Sequence, residues 1–309
     1  MIINYTALAI DENKKLKDVL KKRLYISSEL LKKLKYSNCI YVNNSNAYTN
    51  YIVHKNDEIT VDLEKYIIQK NTPKFEDKFE LVDSPLDILY EDDYLLIVNK
   101  PANMPTHPSA DNYTNTLSNI VASYLKKQQI YNIHIITRLD KNTTGICIFA
   151  KNEYVQELFV KKKQKISLKK EYIAVVNGIV KKDHDIIEKN IARMKDTILL
   201  RETVDDTLGD YARTEFFVTK RNYNLNYTIL NVILHTGRTH QIRVHMIYIG
   251  HILLGDTLYA NHYGIKDIDK LISRQALHAR KISFYHPITN EYLSIEAPLP
   301  EDIQSLEKE

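Results

Sequence analysis

The sequence predicts an α+β protein: a large domain on a mostly antiparallel mixed sheet, preceded by a small α/β module. Three observations predict it. Strand-like runs dominate residues 87–300, with a few helices inserted and no regular strand–helix–strand alternation. Residues 12–65 hold two short helical patterns followed by small strand patterns. Between them, Glu64 to Leu86 is polar, charged and punctuated by Pro73 and Pro85. The expected division is a module over 12–65, a linker over 66–86 and a domain over 87–300.

In the module, Leu16, Val19, Leu20 and Leu24 recur at helical spacing, so Leu16 to Arg23 reads as an amphipathic helix. Ser27 and Ser28 can cap a second helix through Leu30, Leu31 and Leu34, with Lys32, Lys33 and Lys35 on it. Cys39–Val42 and Glu58–Val61 read as short strands, entered or left through Asn43-Asn44 and Asn56-Asp57. In the large domain the strand candidates are Tyr94–Asn99, Ile146–Lys151, Tyr172–Val176, Thr214–Thr219, Tyr227–Leu234 and Lys281–Tyr285. Helices are expected over Thr116–Lys127 and Glu153–Lys163.

The net charge of +4 is localised. Residues 12–65 hold eleven Lys or Arg against seven Asp or Glu, and the rest of the chain holds 32 of each. A local basic surface suits a polyanion partner; a solvated helix face gives the same count. A second basic run, Lys161-Lys162-Lys163, Lys165, Lys169 and Lys170, precedes Tyr172 and could track a phosphate backbone. No stretch has the roughly 18 apolar residues of a membrane span, and Asp11 and Glu12 follow a short apolar start, so neither membrane insertion nor a secretory signal is expected. Cys39 and Cys147 lie in apolar surroundings, as buried reduced thiols of a cytoplasmic protein would.

Two runs carry candidate chemistry. In Arg138-Leu139-Asp140-Lys141-Asn142-Thr143-Thr144-Gly145, an acid beside a basic residue sits in a turn that feeds the apolar run Ile146 to Ala150. Such a turn can hold a carboxylate at the rim of a sheet, although an Asp there more often bonds its own backbone. In His235-Thr236-Gly237-Arg238-Thr239-His240-Gln241-Ile242-Arg243-Val244-His245, a strand runs into a turn and then a helix. Two arginines near a helix start make an anion site, or bind ordinary surface acids. His240 and His245 are five apart, without metal-ligand spacing, and no cysteine pair accompanies them. A Gly-rich phosphate loop, a serine elbow and a dinucleotide fingerprint are all missing, so no metal and no cofactor are expected.

Together these runs resemble the RluA-type pseudouridine synthases. The resemblance rests on Arg138-Leu139-Asp140 with Thr143-Thr144-Gly145 and Ala150-Lys151, on Lys170-Glu171-Tyr172-Ile173-Ala174-Val175-Val176-Asn177-Gly178, and on Thr236 to His245 followed by Gly255-Asp256-Thr257-Leu258-Tyr259. Val98-Asn99-Lys100-Pro101 through His107-Pro108, and Leu277-His278-Ala279 with Phe284, His286 and Pro287, complete it in the family's order. Thr137 stands where the family carries histidine, and Asn103 where it carries glycine. The module resembles the S-four-like RNA-binding domain through Ile40-Tyr41-Val42-Asn43-Asn44 and Asn56-Asp57-Glu58-Ile59-Thr60-Val61, with asparagine at both turn glycines.

The resemblance implies a pseudouridine synthase fold and an isomerase that turns uridine in structured RNA into pseudouridine, without metal or cofactor. Ribosomal large-subunit RNA is the expected target and transfer RNA the alternative; a monomer is expected. Asp140 takes the role of essential carboxylate, as nucleophile or as base. A guanidinium in contact would hold it ionised, Arg243 first and Arg238 in reserve. Tyr172 resembles the family's stacking tyrosine, and Arg138 the residue that fills the gap left by the extruded base. Arg238, Lys32, Lys33 and Lys35 are further expected RNA contacts. Two rivals remain open. A glycoside hydrolase needs two flanking carboxylates, and Asp256, the other motif acid, reads as a turn residue. A non-catalytic RNA-binding or ribosome-assembly factor could retain the fold.

Overall fold

The computed structural model describes residues 1–70, 81–108, 114–130, 132–195, 197–205 and 207–309. The small unit comprises β1 (Ile2–Thr6), α1 (Leu16–Arg23), α2 (Ser28–Tyr36), β2 (Ile40–Val42), β3 (Ser45–Asn46), β4 (Glu58–Asp62) and α3 (Leu63–Lys70). Its antiparallel sheet has the order β1-β4-β2-β3. Ser27 caps α2, its hydroxyl accepting from the Leu30 N–H at 2.9 Å. Asn43, Asn44 and Asn56 all take left-handed φ, of 49°, 63° and 70°, so asparagine does serve where glycine would be the easier residue. Two sequence boundaries shift. The sheet begins before residue 12, because β1 pairs along β4 from Ile2↔Asp62 to Thr6↔Glu58. The expected linker starts late: residues 66–70 complete α3, whose Tyr66 is buried, and residues 71–80 lie outside the described residues.

The large unit follows as β5 (Ile88–Glu91), β6 (Leu95–Lys100), α4 (Leu117–Lys127), β7 (His134–Ile135), β8 (Thr144–Ala150), α5 (Glu153–Lys161), α6 (Lys163–Ile166), β9 (Lys169–Asn177), β10 (His184–Glu188), β11 (Asn190–Arg193) and β12 (Arg201–Val204). It continues with β13 (Arg213–Asn222), β14 (Tyr227–Leu234), α7 (Gln241–Tyr248), α8 (Thr257–Tyr263), β15 (Leu277–Tyr285), β16 (Tyr292–Glu296) and α9 (Glu301–Lys308). Among the described residues the main sheet has ten strands, in the order β10-β13-β14-β9-β15-β8-β6-β5, with β16 on β15 and β7 on β8. All its pairings are antiparallel except β15 with β8, which meet in parallel at His278↔Thr144 and Ala279↔Gly145. This is an α+β architecture around a mostly antiparallel mixed sheet. β11 and β12 form a separate hairpin.

That parallel seam places the site. All seven residues of β8 are buried, so it reads as an unbroken apolar run, and the Asp140 turn feeds it from one end. β9 and β15 extend beyond their expected spans, to Lys169 and Leu277. Their ends carry Lys, Glu and His, which hide a strand signal, yet neighbouring strands take their backbone groups.

The small unit is docked on α5. Glu153 accepts from Lys33 Nζ at 2.7 Å and from the Tyr66 hydroxyl. Glu157 accepts from the Ser27 N–H at 3.0 Å, and Tyr154 donates to the Leu24 carbonyl at 2.9 Å. Leu24 and Leu30 share one apolar cluster with Tyr154, Leu158 and Phe284.

Gly145 makes the parallel seam possible. Its φ is 105°, and a Cβ there would lie 2.3 Å from the Ala279 carbonyl oxygen. Gly145→Ala is expected to cost about 3 kcal/mol, from backbone strain plus overpacking, read as a lowered midpoint in urea unfolding. A midpoint equal to the wild type would contradict the constraint.

Candidate active site

Asp140 stands in a cleft of about 540 Å³ lined also by Arg138, Tyr172, Arg238, His240 and Arg243. That volume lies within the roughly 300–1,000 Å³ of small-ligand sites. The Asp140 side chain keeps 28% of its surface exposed. Its Oδ2 accepts from Arg243 Nη1 at 3.0 Å. Among the described residues no hydrogen bond goes to Oδ1, so one carboxylate oxygen is left for substrate.

The turn carrying Asp140 is pinned carbonyl by carbonyl. The Thr106 hydroxyl donates to the Leu139 carbonyl at 2.7 Å and accepts from the Leu139 N–H at 3.1 Å. Lys100, fully buried, donates to the carbonyls of Lys141, Met104 and Pro101 at 2.7–2.9 Å. Burial pushes this ammonium down to about 8, and its three acceptors explain its tolerance inside the core. Arg274 Nη1 reaches the Asn142 carbonyl at 3.1 Å while its other nitrogens grip Asp302 at 2.7 and 2.8 Å. Thr137, the family's histidine position, closes the turn's approach by accepting the Ile148 N–H at 2.9 Å.

Arg243 enters from the first turn of α7 and is 4% exposed. Asp256, just before α8 and 1% exposed, takes its Nε and Nη2 at 2.7 and 2.8 Å. With that fork occupied, Nη1 is directed at Asp140. The Tyr259 ring lies under the guanidinium at 4.8 Å and fixes its plane. Burial opposes the guanidinium charge, but Asp256 and Asp140 outweigh it and hold Arg243 above its usual range. The reading of Asp256 as a turn residue is therefore corrected: its carboxylate compensates a buried cation.

His240 sits at the start of α7 with φ 58°. Burial pushes it down to about 4, so it is neutral at pH 7 despite the Asp140 charge. The Tyr259 hydroxyl accepts from the Arg201 N–H at 3.0 Å and lies 2.9 Å from His240 Nδ1. A hydroxyl proton pointing to Nδ1 assigns the remaining ring proton to Nε2, which faces Asp140 Oδ2 at 3.7 Å.

Tyr172, on β9, is 7% exposed and in the cleft wall; burial raises its hydroxyl above the usual range. Arg138 is exposed at the rim. Arg238 is also at the rim, with its Nε on the Tyr211 carbonyl at 3.1 Å and Nη1 3.6 Å from Asp210, and it does not pair with Asp140. Lys32 and Lys35 are exposed on α2, whereas Lys33 faces α5 and ties the two units through Glu153. The residues that motif reading passed over are Asp256, Tyr259, His240 and Lys100. Asp256 and Tyr259 are three apart, a spacing that puts both on one helical side, and this was the available signal. Among the described residues no cluster of three or more His, Cys, Asp or Glu could hold a metal, and no helix is long and apolar enough to cross a membrane.

Comparison with known proteins gives the family and the fold. Residues 94–248 match the family described as RNA pseudouridylate synthase. An RNA pseudouridine synthase of Bacillus subtilis (strain 168), YhcT, is 35% identical over 289 residues, covering 93% of this chain and 90% of the relative. Ribosomal large subunit pseudouridine synthase D of Vibrio cholerae is 37% identical over 237 residues, 74% of this chain and 72% of the relative. The fold is similar to human RNA Pseudouridylate Synthase Domain Containing 1, with a TM-score of 0.56 at 22% identity over 70% of this chain and 84% of that one.

Asp256→Asn tests the guanidinium's support. Losing a buried partner charge is expected to cost about 3 kcal/mol of stability. Misdirecting Nη1 should lower kcat by about 100-fold or more, measured at a temperature where the variant is folded. Unchanged kcat would contradict the arrangement.

Proposed function

This chain belongs to the RNA pseudouridylate synthase family and isomerises uridine in RNA; from that premise we propose how its cleft does so and on which RNA. The reaction breaks the bond between ribose C1′ and uracil N1 and forms one between C1′ and C5. N1 gains a proton and C5 loses one, so the atoms balance without redox change.

Asp140 is the catalytic residue in this reading. The observation that carries it is the Arg243 Nη1 contact at 3.0 Å, with the second carboxylate oxygen unbonded and the side chain partly open to the cleft. The guanidinium holds one carboxylate oxygen at the place where the other meets the nucleotide. Leaving the helix or loop stack costs the target uridine a few kcal/mol. Stacking on Tyr172 recovers about 1–3 kcal/mol per base. Arg138, exposed beside the acid, occupies the gap in the RNA. Arg238 contacts RNA at the rim, and Lys32 and Lys35 do so on the small unit, which acts as an S-four-like RNA-binding module from β1 to α3, with Lys33 at the docked side.

Large-subunit ribosomal RNA is the proposed substrate. Support comes from similarity to ribosomal large subunit pseudouridine synthase D of Vibrio cholerae. Buried free Cys39 and Cys147 support a reducing, cytoplasmic setting for an enzyme that acts as a monomer.

Tritium release from 5-tritiated uridine in ribosomal RNA, with the base retained, tests the reaction. Asp140→Asn and Arg243→Leu should each reduce release by about 1,000-fold or more, with RNA binding still measurable. Near-normal release from either variant would refute its assigned role. Arg138→Ala should impair turnover of a structured RNA more than that of a short unstructured oligonucleotide; equal losses would remove the gap-filling role.

A further inference from the structure

The cleft does not stop at Tyr172. Its wall at Ile136, Leu168, Lys170, Leu234 and Gly237 is shared with a second groove of about 940 Å³, lined by α5 and α6. Lys170 marks the junction. A Cβ on Gly237 would lie 3.1 Å from Lys170 Nζ, so the glycine leaves that ammonium its room.

Lys161, Lys163, Lys169 and Lys170 line the groove, and Lys162 and Lys165 stand next to them in the chain. Besides burial, the Lys163 charge lowers Lys170, the Lys165 charge lowers Lys162, and the Lys21 charge on α1 lowers Lys161. Lys161 donates to the Tyr25 carbonyl at 2.7 Å, and Lys162 stands over the Tyr25 ring at 5.2 Å. These contacts carry the line from α5 onto the small unit. Glu157 and Glu215 also line the groove, Glu157 at 3.8 Å from Lys161 and Glu215 taken up by His184 and His235 at 2.9 Å each, while Lys169 pairs with Glu171 at 2.9 Å. Among the described residues Lys163, Lys165 and Lys170 have no carboxylate within ion-pair distance. Burial and the neighbouring ammonium hold both Lys170 and Lys162 below the usual lysine range. Like charges brought together on a groove wall destabilise the empty protein, and a polyanion laid along them removes that repulsion.

We propose that this groove carries the RNA strand flanking the target nucleotide, with its phosphates on a lane along the wall from Lys170 through Lys163 to Lys161, flanked by Lys165 and continued towards Lys21. The proposal rests on the synthase reading of the cleft and adds a path. The docked small unit continues the same track, so the module and the chemistry grip one RNA segment.

The test uses large-subunit ribosomal RNA transcribed in vitro, and a short hairpin that fills only the cleft. Binding is measured against salt concentration, separately from tritium release. Lys163→Glu with Lys165→Glu should weaken binding of the long transcript by about tenfold or more and flatten its log–log salt slope by about 1.4–1.8, the share of two phosphates. The hairpin should lose less than about threefold, since it ends before the lane. Lys21→Glu, at the far end, should flatten the long transcript's slope by about 0.7–0.9. Unchanged slopes on the long transcript, or equal losses on transcript and hairpin, would overturn the lane. Should the glutamate pair melt early by circular dichroism, Lys163→Gln with Lys165→Gln gives the same slope test. Absence of tritium release by the wild type would instead refute the synthase reading, and the binding arms would still judge the path.

Discussion

The organising constraint is one buried guanidinium with two acids. Arg243 cannot be sealed from water without a compensating charge, and Asp256 supplies it through a two-point grip. That grip consumes Nε and Nη2 and fixes the plane, so the remaining nitrogen has one direction, towards Asp140. Tyr259 closes the other side, its ring on the guanidinium and its hydroxyl on His240. Four segments are thereby linked around one carboxylate: the turn before β8, the start of α7, the start of α8 and, through the Tyr259 hydroxyl, the backbone at Arg201. The cleft is stiff because each contact limits the next.

The same logic governs the Asp140 turn. A loop entering a fully buried strand brings backbone carbonyls into a region without water, and each needs a donor. Thr106, Lys100 and Arg274 supply them to Leu139, Lys141 and Asn142 in turn. A lysine and an arginine thus act as backbone clamps. Rigid support of this kind keeps the reactive oxygen in place while a nucleotide enters and leaves.

Strand-rich organisation was legible because apolar runs such as Tyr227–Leu234 coincide with the strand that forms. Strand ends were less legible: Lys169–Glu171 carry charge at the groove and Leu277–Arg280 hold a fully buried His278, while hydrogen bonding to neighbours decides the true length. Asp140, Arg138, Tyr172 and Arg243 were picked from motif blocks, and all four line the cleft. Asp256 looked local because its turn is local, and its partner is thirteen positions away on another helix. Lys33 has a local partner in Glu29 at 3.0 Å, but the one that ties it to the large unit, Glu153, is 120 positions distant. Long-range pairing of this kind leaves no periodic mark in a sequence.

The apolar cluster shared by the small unit and α5 has a thermodynamic consequence. Leu24 and Leu30 lose their cover if α5 leaves, and Tyr154 and Leu158 lose theirs if the small unit does. Neither side can therefore unravel alone without exposing the other's oily surface. The two regions behave as one cooperative block, and calorimetry of the intact chain would show their heat absorption merged in a single endotherm.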